Sequence, residues 1–356
     1  MLVLIYRINY DILKYRVFNK GVVLLKIFDM HSDLFTDIAW RRNNGEKDVF
    51  DRIHYPRLVK GGVDSIICVF WVEPTFRQDP ITRFRTIFQL VMEDLCTSKH
   101  VNICRAVEEM TSDTNSEKIN LFLGLEGVSF IEQWGSKTMG SNIETAFYEL
   151  HEEKIRHAIF AWNEWNFLAS GTGSLDEPTQ HGLTKYGKQA VQKANEMNWI
   201  LDASHLDEMS FWNMHHVSNQ PIIASHSNAQ ALCQHERNLS DDQLKAIATG
   251  GGIIGLNAYS GFVDKVNPTL DRFVDHAAYI ADLVGPEYVA FGFDFIDYLS
   301  AYNLGAPFSG GTIGLEDVTK IPDLLDRMAV RGFSTKEIEA ISFHNAYRFI
   351  EKNMRL

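Results

Sequence analysis

The sequence predicts an α/β protein folded as a single (β/α)8 TIM barrel, with its active site at the C-terminal ends of the strands. Short apolar runs without polar alternation recur along the chain, which is typical of parallel strands buried on both faces. Segments with helical periodicity separate these runs, as in a barrel of alternating strands and helices. Acidic and histidine residues follow several of the runs. A doubly wound open sheet would show the same alternation, so the pattern alone leaves that fold open.

Eight runs are predicted to be strands. They cover residues 24–30, 64–70, 120–125, 156–161, 199–203, 221–225, 253–256 and 288–291. Between them, residues 83–95, 143–153, 186–197 and 206–216 have the apolar period of helices. Two further helices are expected to begin at Ser240 and Ser334, because Gln243 and Glu337 follow three residues later as in a capping box.

Composition excludes some classes of function. The formal net charge of −12 argues against non-specific binding to nucleic acid or to anionic lipid. The four cysteines, which form no C-x-x-C pair, indicate buried thiols in a reducing compartment. We therefore expect a cytoplasmic protein with a small-molecule substrate and with neither a nucleic-acid nor a membrane partner.

The first 23 residues stand apart from the barrel pattern. Residues 1–23 are apolar but interrupted by charges, so they are too broken for a membrane span and lack the order of a signal peptide. We interpret residues 1–23 as an N-terminal extension of unknown role and residues 24–356 as the (β/α)8 metallohydrolase domain.

Metal-binding side chains follow five of the predicted strands. In the barrel fold these strand ends meet at one mouth. The side chains are His31 and Asp33, Glu126, His205, His226 and Asp294. His31 and Asp33 are two residues apart and point to the same side, and His205 and His226 are separated by one β-α-β step. Any one of these residues alone is more often a helix cap or an ordinary loop residue. Together they form a nitrogen and oxygen set typical of zinc or a similar divalent ion.

The order of these motifs resembles the membrane (renal) dipeptidase family, peptidase family M19, whose members are metal-dependent and amidohydrolase-like. The matching stretches are DMHSD at 29–33, ILDASH at 200–205, PIIASHSNAQ at 221–230, HERNLSDD at 235–242 and GFDF at 292–295. The resemblance implies a zinc-dependent metallodipeptidase that hydrolyses the amide bond of small dipeptides, including those with a D-residue at the C-terminal position. It also implies two Zn²⁺ per chain that share a bridging hydroxide, and a homodimer as one further expectation.

The resemblance assigns roles residue by residue. His31, Asp33, Glu126, His205 and His226 would be the metal ligands, with Glu126 bridging the two ions and thereby also catalytic. Asp294 falls on the family's acid/base carboxylate, and Arg237 on the arginine that binds the substrate's C-terminal carboxylate. Tyr259, after the seventh predicted strand, is expected to line the substrate pocket.

One position departs from the family pattern. Where the family has a histidine that contacts the substrate, in an L-T-H-N-like motif, this chain has Trp162, followed by Asn163, and we expect both residues to be substrate contacts. An indole donates one hydrogen bond but cannot carry positive charge. Either another group such as Asn163 replaces the histidine, or the substrate is a different small amide, lactam or ester. A third interpretation, a non-catalytic binding barrel, is disfavoured by the complete ligand set.

Overall fold

The computed structural model describes residues 25–111, 116–135, 138–173, 182–305 and 310–355. The predicted extension 1–23 lies outside the described residues. The strands are β1 (Ile27–Ser32), β2 (Val63–Trp71), β3 (Val101–Cys104), β4 (Ile119–Glu126), β5 (Ile155–Ile159), β6 (Ile200–Asp202), β7 (Ile254–Leu256) and β8 (Val289–Phe291).

Helices connect the strands, as the alternating pattern predicts. The α-helices span Leu34–Asn43, Tyr55–Gly61, Pro80–Thr97, Met139–Glu152, Lys185–Glu196, Glu208–Val217, Asp241–Thr249, Ser260–Val263, Leu270–Val284, Ile321–Arg331, Thr335–Glu339 and Asn345–Asn353. Both predicted capping boxes are confirmed: Ser240 pairs reciprocally with Gln243, and Ser334 with Glu337. No helix in the described ranges is long and apolar enough to cross a bilayer.

The strands form a curled parallel sheet in the order β6-β5-β4-β2-β1-β8-β7, with β3 added beside β4. The α/β class is confirmed. Alternate residues of a strand enter different cores: Phe28 and Met30 of β1 pack with Ile67 and Phe122 on one face, whereas Ile27 packs on the other. Because both faces are covered by apolar side chains, polar groups concentrate where the strands end.

Two strand predictions differ from the structure. Residues 221–225 form isolated parallel bridges, Asp202 with Ile223 and Ala224 with Ile254, rather than a regular strand. The segment begins with Pro221, which has no N–H to donate, and the N–H of Ser225 is bonded to the Asp202 side chain. The extra strand β3 was not predicted, because its four residues include polar Asn102 and are too few to show a pattern.

Candidate metal centre and substrate pocket

The five predicted metal ligands lie close together at the strand ends, with Glu126 in the middle. Oε1 of Glu126, the last residue of β4, lies 2.7 Å from Nε2 of His205 and 3.7 Å from Nε2 of both His31 and His226. The rings of His31 and His226 are stacked, with centroids 3.7 Å apart. The carboxylate thus occupies the middle of three imidazoles that come from β1, β6 and the segment after β6.

Two acids complete the cluster on the β1 side. Nε2 of His31 lies 3.8 Å from Oδ2 of Asp33 and 3.9 Å from Oδ1 of Asp294. The described residues contain two groups of three side chains that could hold a metal ion, and within each group the donor atoms lie within 4.8 Å of one another. One group is His31, Glu126 and His226, and the other is His31, Asp33 and Asp294. His205 belongs to neither set, although it touches Glu126. Asp294, predicted as an acid/base group, is therefore also within reach of a cation.

Several donor atoms of this cluster have no hydrogen-bond partner among the residues that the structure describes. Both ring nitrogens of His31, Nε2 of His226 and Oδ1 of Asp33 are buried and unpaired. Asp33 occupies the position before the helix Leu34–Asn43, yet its side chain makes no capping bond. A buried polar atom without a partner costs about 1–3 kcal/mol. One ring nitrogen of His31, Nε2 of His226 and Oδ1 of Asp33 could each bind a divalent cation, since an imidazole offers a metal one nitrogen at a time.

The charges of the cluster also suit a cation. Burial, together with the charge of Asp33, raises the pKa of Glu126 well above its usual value. Burial and the nearby positive charges of Arg237 and His31 hold the pKa of His205 and of His226 well below the usual value, so both imidazoles are neutral. A neutral imidazole is the form that ligates a metal. Burial lowers the pKa of His31, but the carboxylates of Glu126 and Asp33 outweigh it and raise that pKa to about 10.

A buried aspartate, Asp202, positions the two histidine-bearing chain segments. Its Oδ1 accepts the backbone N–H of Ser204 at 2.9 Å and of Ser225 at 3.0 Å, the residues that precede His205 and His226. Its Oδ2 is bonded to Nε2 of His157 at 2.9 Å. Burial raises the pKa of Asp202, but the bond and charge of His157 outweigh it and hold the pKa below its usual value.

Asp29 positions two chain segments on the opposite side of the cluster in the same way. Its Oδ1 accepts the N–H of His31 at 3.3 Å and of Phe293 at 3.0 Å, so it ties the end of β1 to the residue before Asp294. Burial raises the pKa of Asp29 to about 7. The positioning roles of Asp29 and Asp202 were not predicted from the sequence. The available signal was an acid placed two or three residues before a predicted histidine ligand in both D-x-H and D-x-S-H.

Hydrogen bonds to the second ring nitrogen orient two of the histidines. Nδ1 of His205 donates to Oδ1 of Asn163 at 2.8 Å, because an amide oxygen can only accept, and this directs Nε2 towards Glu126. Nδ1 of His226 lies 2.7 Å from Oγ of Ser225. Asn163 was predicted to contact substrate; in the structure it lines the pocket and its oxygen is bonded to His205.

A cavity of about 240 Å³ opens onto the cluster and contains all four predicted substrate contacts in its wall: Arg237, Trp162, Asn163 and Tyr259. This volume lies below the range of about 300–1,000 Å³ for drug-sized ligands, so the pocket suits a small molecule. Arg237 is 4% exposed, and its Nε and Nη2 have no hydrogen-bond partner. Burial lowers its pKa to about 10, with Asp294 opposing that shift. A buried guanidinium of this kind suits a carboxylate.

Asp294 faces the same cavity from the end of β8. Its Oδ2 accepts a hydrogen bond of 3.0 Å from the Asn257 side chain, and burial raises its pKa to about 7. Both Asp294 and His205 have a left-handed backbone, with φ of 55° and 70°. Such conformations are costly for residues other than glycine and cluster at functional sites. The arrangement offers proton exchange near neutral pH beside a potential cation site.

Comparison with known proteins identifies relatives of this chain. Residues 19–355 match the family model described as membrane dipeptidase (peptidase family M19). An uncharacterized dipeptidase of Schizosaccharomyces pombe is 32% identical over 243 residues, which is 67% of this chain and 54% of that protein. Dipeptidase aclJ of Aspergillus oryzae is 31% identical over 236 residues, 65% of this chain and 51% of that protein. The chain thus spans about half the length of these two relatives.

Solved structures share the fold. The dipeptidase AC, a metallo peptidase of family M19, superposes with a TM-score of 0.79 at 23% identity, covering 93% of this chain and 99% of that one. A metallo peptidase from Rhodobacter sphaeroides, solved with a phosphinate mimic of the dipeptide L-Ala-D-Ala, gives a TM-score of 0.78 at 21% identity, covering 93% and 100%. At 23% and 21% identity, these two superpositions show that the proteins share a fold.

Proposed function

Since the chain belongs to the membrane dipeptidase family, peptidase family M19, we propose that it is a metallodipeptidase that hydrolyses the amide bond of small dipeptides. The observation that supports this most strongly is the set of buried, unpaired donor atoms on His31, Asp33 and His226 around Glu126. Asp33 and Glu126 line a small cavity together with Arg237, whose Nε and Nη2 are unpaired among the described residues. This arrangement supports a small substrate with a carboxylate.

Two Zn²⁺ ions are the proposed cofactors. His31 and Asp33 would hold one ion, His205 and His226 the other, and Glu126 lies where it could contact both. Nitrogen and oxygen ligands of this kind suit zinc. When bound, divalent cations supply Lewis acidity and make water a nucleophile at neutral pH by lowering its pKa from about 15.7 to about 7.

The chain's own side chains would bind and orient the substrate and move a proton. Arg237 is placed to bind the C-terminal carboxylate through its unpaired guanidinium nitrogens. Asp294, with a pKa raised to about 7, would take up a proton and pass it to the leaving amine. The ligand bound to the Rhodobacter sphaeroides protein motivates extending the substrates to dipeptides with a C-terminal D-residue.

Metal analysis combined with a dipeptide panel tests this function. The purified chain, stripped with a chelator and reloaded with Zn²⁺, is expected to hold about two ions and to cleave dipeptides with a C-terminal L- or D-residue. Amidated dipeptides are the control, since Arg237 should discriminate against them. If metal-loaded protein cleaves no dipeptide, the dipeptidase proposal is wrong. Because Trp162 replaces a histidine, the second candidate is a hydrolase of another small amide, lactam or ester, and the same protein would then be assayed on those.

We also propose that the sheet closes into a complete (β/α)8 barrel. Closure requires a link between β6 and β7, and the bridges of Ile223 to Asp202 and of Ala224 to Ile254 support one. A Cβ at Gly255 or at Gly292 would lie 1.8 Å from the carbonyl oxygen of Ser225, so both glycines allow this segment to approach β7 and β8. Slow exchange of the Ala224 N–H, which is bonded to the Ile253 carbonyl at 3.1 Å, would test the closure.

A reducing compartment, and specifically the cytoplasm, remains our proposed location. All four cysteines are free thiols, and Cys68, Cys104 and Cys233 are buried. Isolated buried thiols are typical of proteins from reducing compartments. Fractionation of cells that express the native chain would test this.

A further inference from the structure

Four residues form a continuous apolar part of the pocket lining, which we call the apolar wall: Trp71, Trp162, Ile296 and Leu299. The two indole rings pack with centroids 5.2 Å apart at an angle of 52°. Trp162 and Ile296 are partly exposed, whereas Trp71 and Leu299 are 3% and 1% exposed. The two partly exposed side chains therefore present the surface that a ligand would touch, and the two buried ones support it.

The arginine belongs to a different part of the lining. Arg237 lies over the ring of Phe262, with its Cζ 5.3 Å from the centroid, and Phe262 packs against Tyr259 at 4.6 Å. Neither aromatic residue is a member of the apolar wall. With its carboxylate on Arg237 and its scissile amide at the acid and histidine cluster, a dipeptide has only the rest of the lining left for its N-terminal residue. Much of that remaining lining is the apolar wall.

The apolar wall carries no charge of its own, and the ion pair beside it lies outside the cavity lining, although Nε and Nη1 of Arg77 have no hydrogen-bond partner among the described residues. Arg77 lies with its Cζ 6.0 Å from the Trp162 ring centroid, and its Nη2 is 2.7 Å from Oε1 of Glu164. A charged ligand side chain placed on this surface would lose water without gaining an opposite charge, which is unfavourable. An apolar or aromatic side chain would instead gain by leaving water and by stacking on the indole.

We propose that the apolar wall makes this enzyme selective for dipeptides whose N-terminal residue has a bulky apolar or aromatic side chain, with Trp162 as the main specificity-determining residue. This inference rests on the proposed dipeptidase function. It gives a physical role to the tryptophan that stands where the family pattern has a histidine: the position contributes apolar contact area to the substrate's N-terminal side chain.

The test compares N-terminal residues at constant C-terminal alanine. With the full chain loaded with Zn²⁺, kcat/KM for Phe-Ala and Leu-Ala should exceed that for Gly-Ala, Asp-Ala and Lys-Ala by about tenfold or more, the scale of apolar pocket discrimination. Trp162→His should reduce this ratio several-fold. Trp165→His is the matched control, because Trp165 is 49% exposed and lies outside the pocket lining, and the ratio should be unchanged. A wild-type enzyme that prefers glycine or charged residues would overturn the proposal.

Binding of non-hydrolysable analogues separates this inference from the proposed function. Phosphinate analogues of Phe-Ala and Gly-Ala should differ in affinity by about tenfold in titration calorimetry, and Trp162→His should remove the difference. If no dipeptide is cleaved, the proposed function fails, and the two affinities still decide the inference: equal affinities overturn it. Should Trp162→His not fold, Ile296→Ser, at the other partly exposed position, is expected to reduce the same ratio, and an unchanged ratio would contradict the proposal.

Discussion

Asp29 and Asp202 hold opposite sides of the cluster by the same means but differ at their second oxygen. In both residues Oδ1 accepts two backbone N–H groups, one from its own chain segment and one from the neighbouring segment. Asp202 also bonds the buried His157 through Oδ2, whereas no side chain in the described part of the chain is hydrogen-bonded to Asp29. The pKa of Asp202 is correspondingly lowered, and that of Asp29 is raised to about 7.

This difference divides the centre into two unlike halves. The Asp202 half contributes two neutral imidazoles, His205 and His226, and its own carboxylate is hydrogen-bonded to the buried His157. The Asp29 half brings Asp33 and Asp294 beside one imidazole. Carboxyl groups are therefore in excess on one side only. A backbone-positioning aspartate can therefore be bonded to a buried imidazole, as Asp202 is, or belong to an acid-rich site, as Asp29 does.

Asp294→Asn should have the largest effect, because it removes the proton-transfer group from the acid-rich half. We expect kcat to fall by about 10²–10⁴-fold, the usual contribution of general acid–base catalysis, with bound zinc nearly unchanged. Steady-state kinetics and metal analysis on the same preparation check this. Asp297→Asn is the matched control three residues away, an exposed acid paired with Arg57, and should keep kcat. Loss of zinc from Asp294→Asn would instead make Asp294 a metal ligand, in keeping with its distance from His31 and Asp33.

Changing both positioning aspartates to asparagine tests the comparison directly. Asparagine can keep the two Oδ1 hydrogen bonds in each case, so the variants differ mainly in the partner of the second oxygen. Asp202→Asn should lower the free energy of unfolding by about 1.5–3 kcal/mol, the scale of a hydrogen bond to a charged group, because it removes the carboxylate oxygen that is bonded to the buried His157. Asp29→Asn should cost about 1 kcal/mol, the scale of one perturbed hydrogen bond. Urea unfolding of the metal-free proteins measures both.

The His157 pair supplies the control for this experiment. In a His157→Gln background, Asp202→Asn should cost much less than in the wild-type chain, because the imidazole that bonds Oδ2 is already absent. Asp29→Asn should cost the same in both backgrounds. Equal losses from the two single variants would show that the second oxygen does not distinguish the two halves.

Local sequence patterns were enough to predict the α/β class and to predict that the five candidate ligands lie close together. Strands β1 and β6 carry His31 and His205 within a few residues, so D-M-H-S-D and D-A-S-H are visible as written. The positioning role of Asp29 was not visible, since its bond to Phe293 spans 264 residues of chain. Residues 221–225 showed the composition of a strand, but Pro221 and the Asp202 side chain replace part of the hydrogen-bonded ladder.

Asn163 was predicted from the sequence to be a site residue, but its hydrogen bond with His205 was not predicted. Its place in the sequence, after the position of the missing histidine, suggested substrate contact, and that role stays a prediction. The hydrogen bond from His205 Nδ1 depends on where two distant loops meet, which no local pattern encodes. Variants at Asn163 can separate substrate contact from the positioning of His205.

Asn163→Leu should have a smaller effect than Asp294→Asn, because it acts on the orientation of a metal ligand and leaves the ligand itself in place. Without the amide oxygen, the Nδ1–H of His205 has no acceptor and the ring is no longer fixed with Nε2 towards Glu126. Loss of such a partner lowers metal affinity by about 10–100-fold, which competition with a zinc chelator measures. Asn163→Asp keeps an acceptor oxygen and should retain affinity, whereas both variants would weaken substrate binding if the side chain contacts substrate. If Asn163→Leu binds zinc like the wild type, the hydrogen bond does not position His205, and the imidazole half is organised by Asp202 and Ser225 alone.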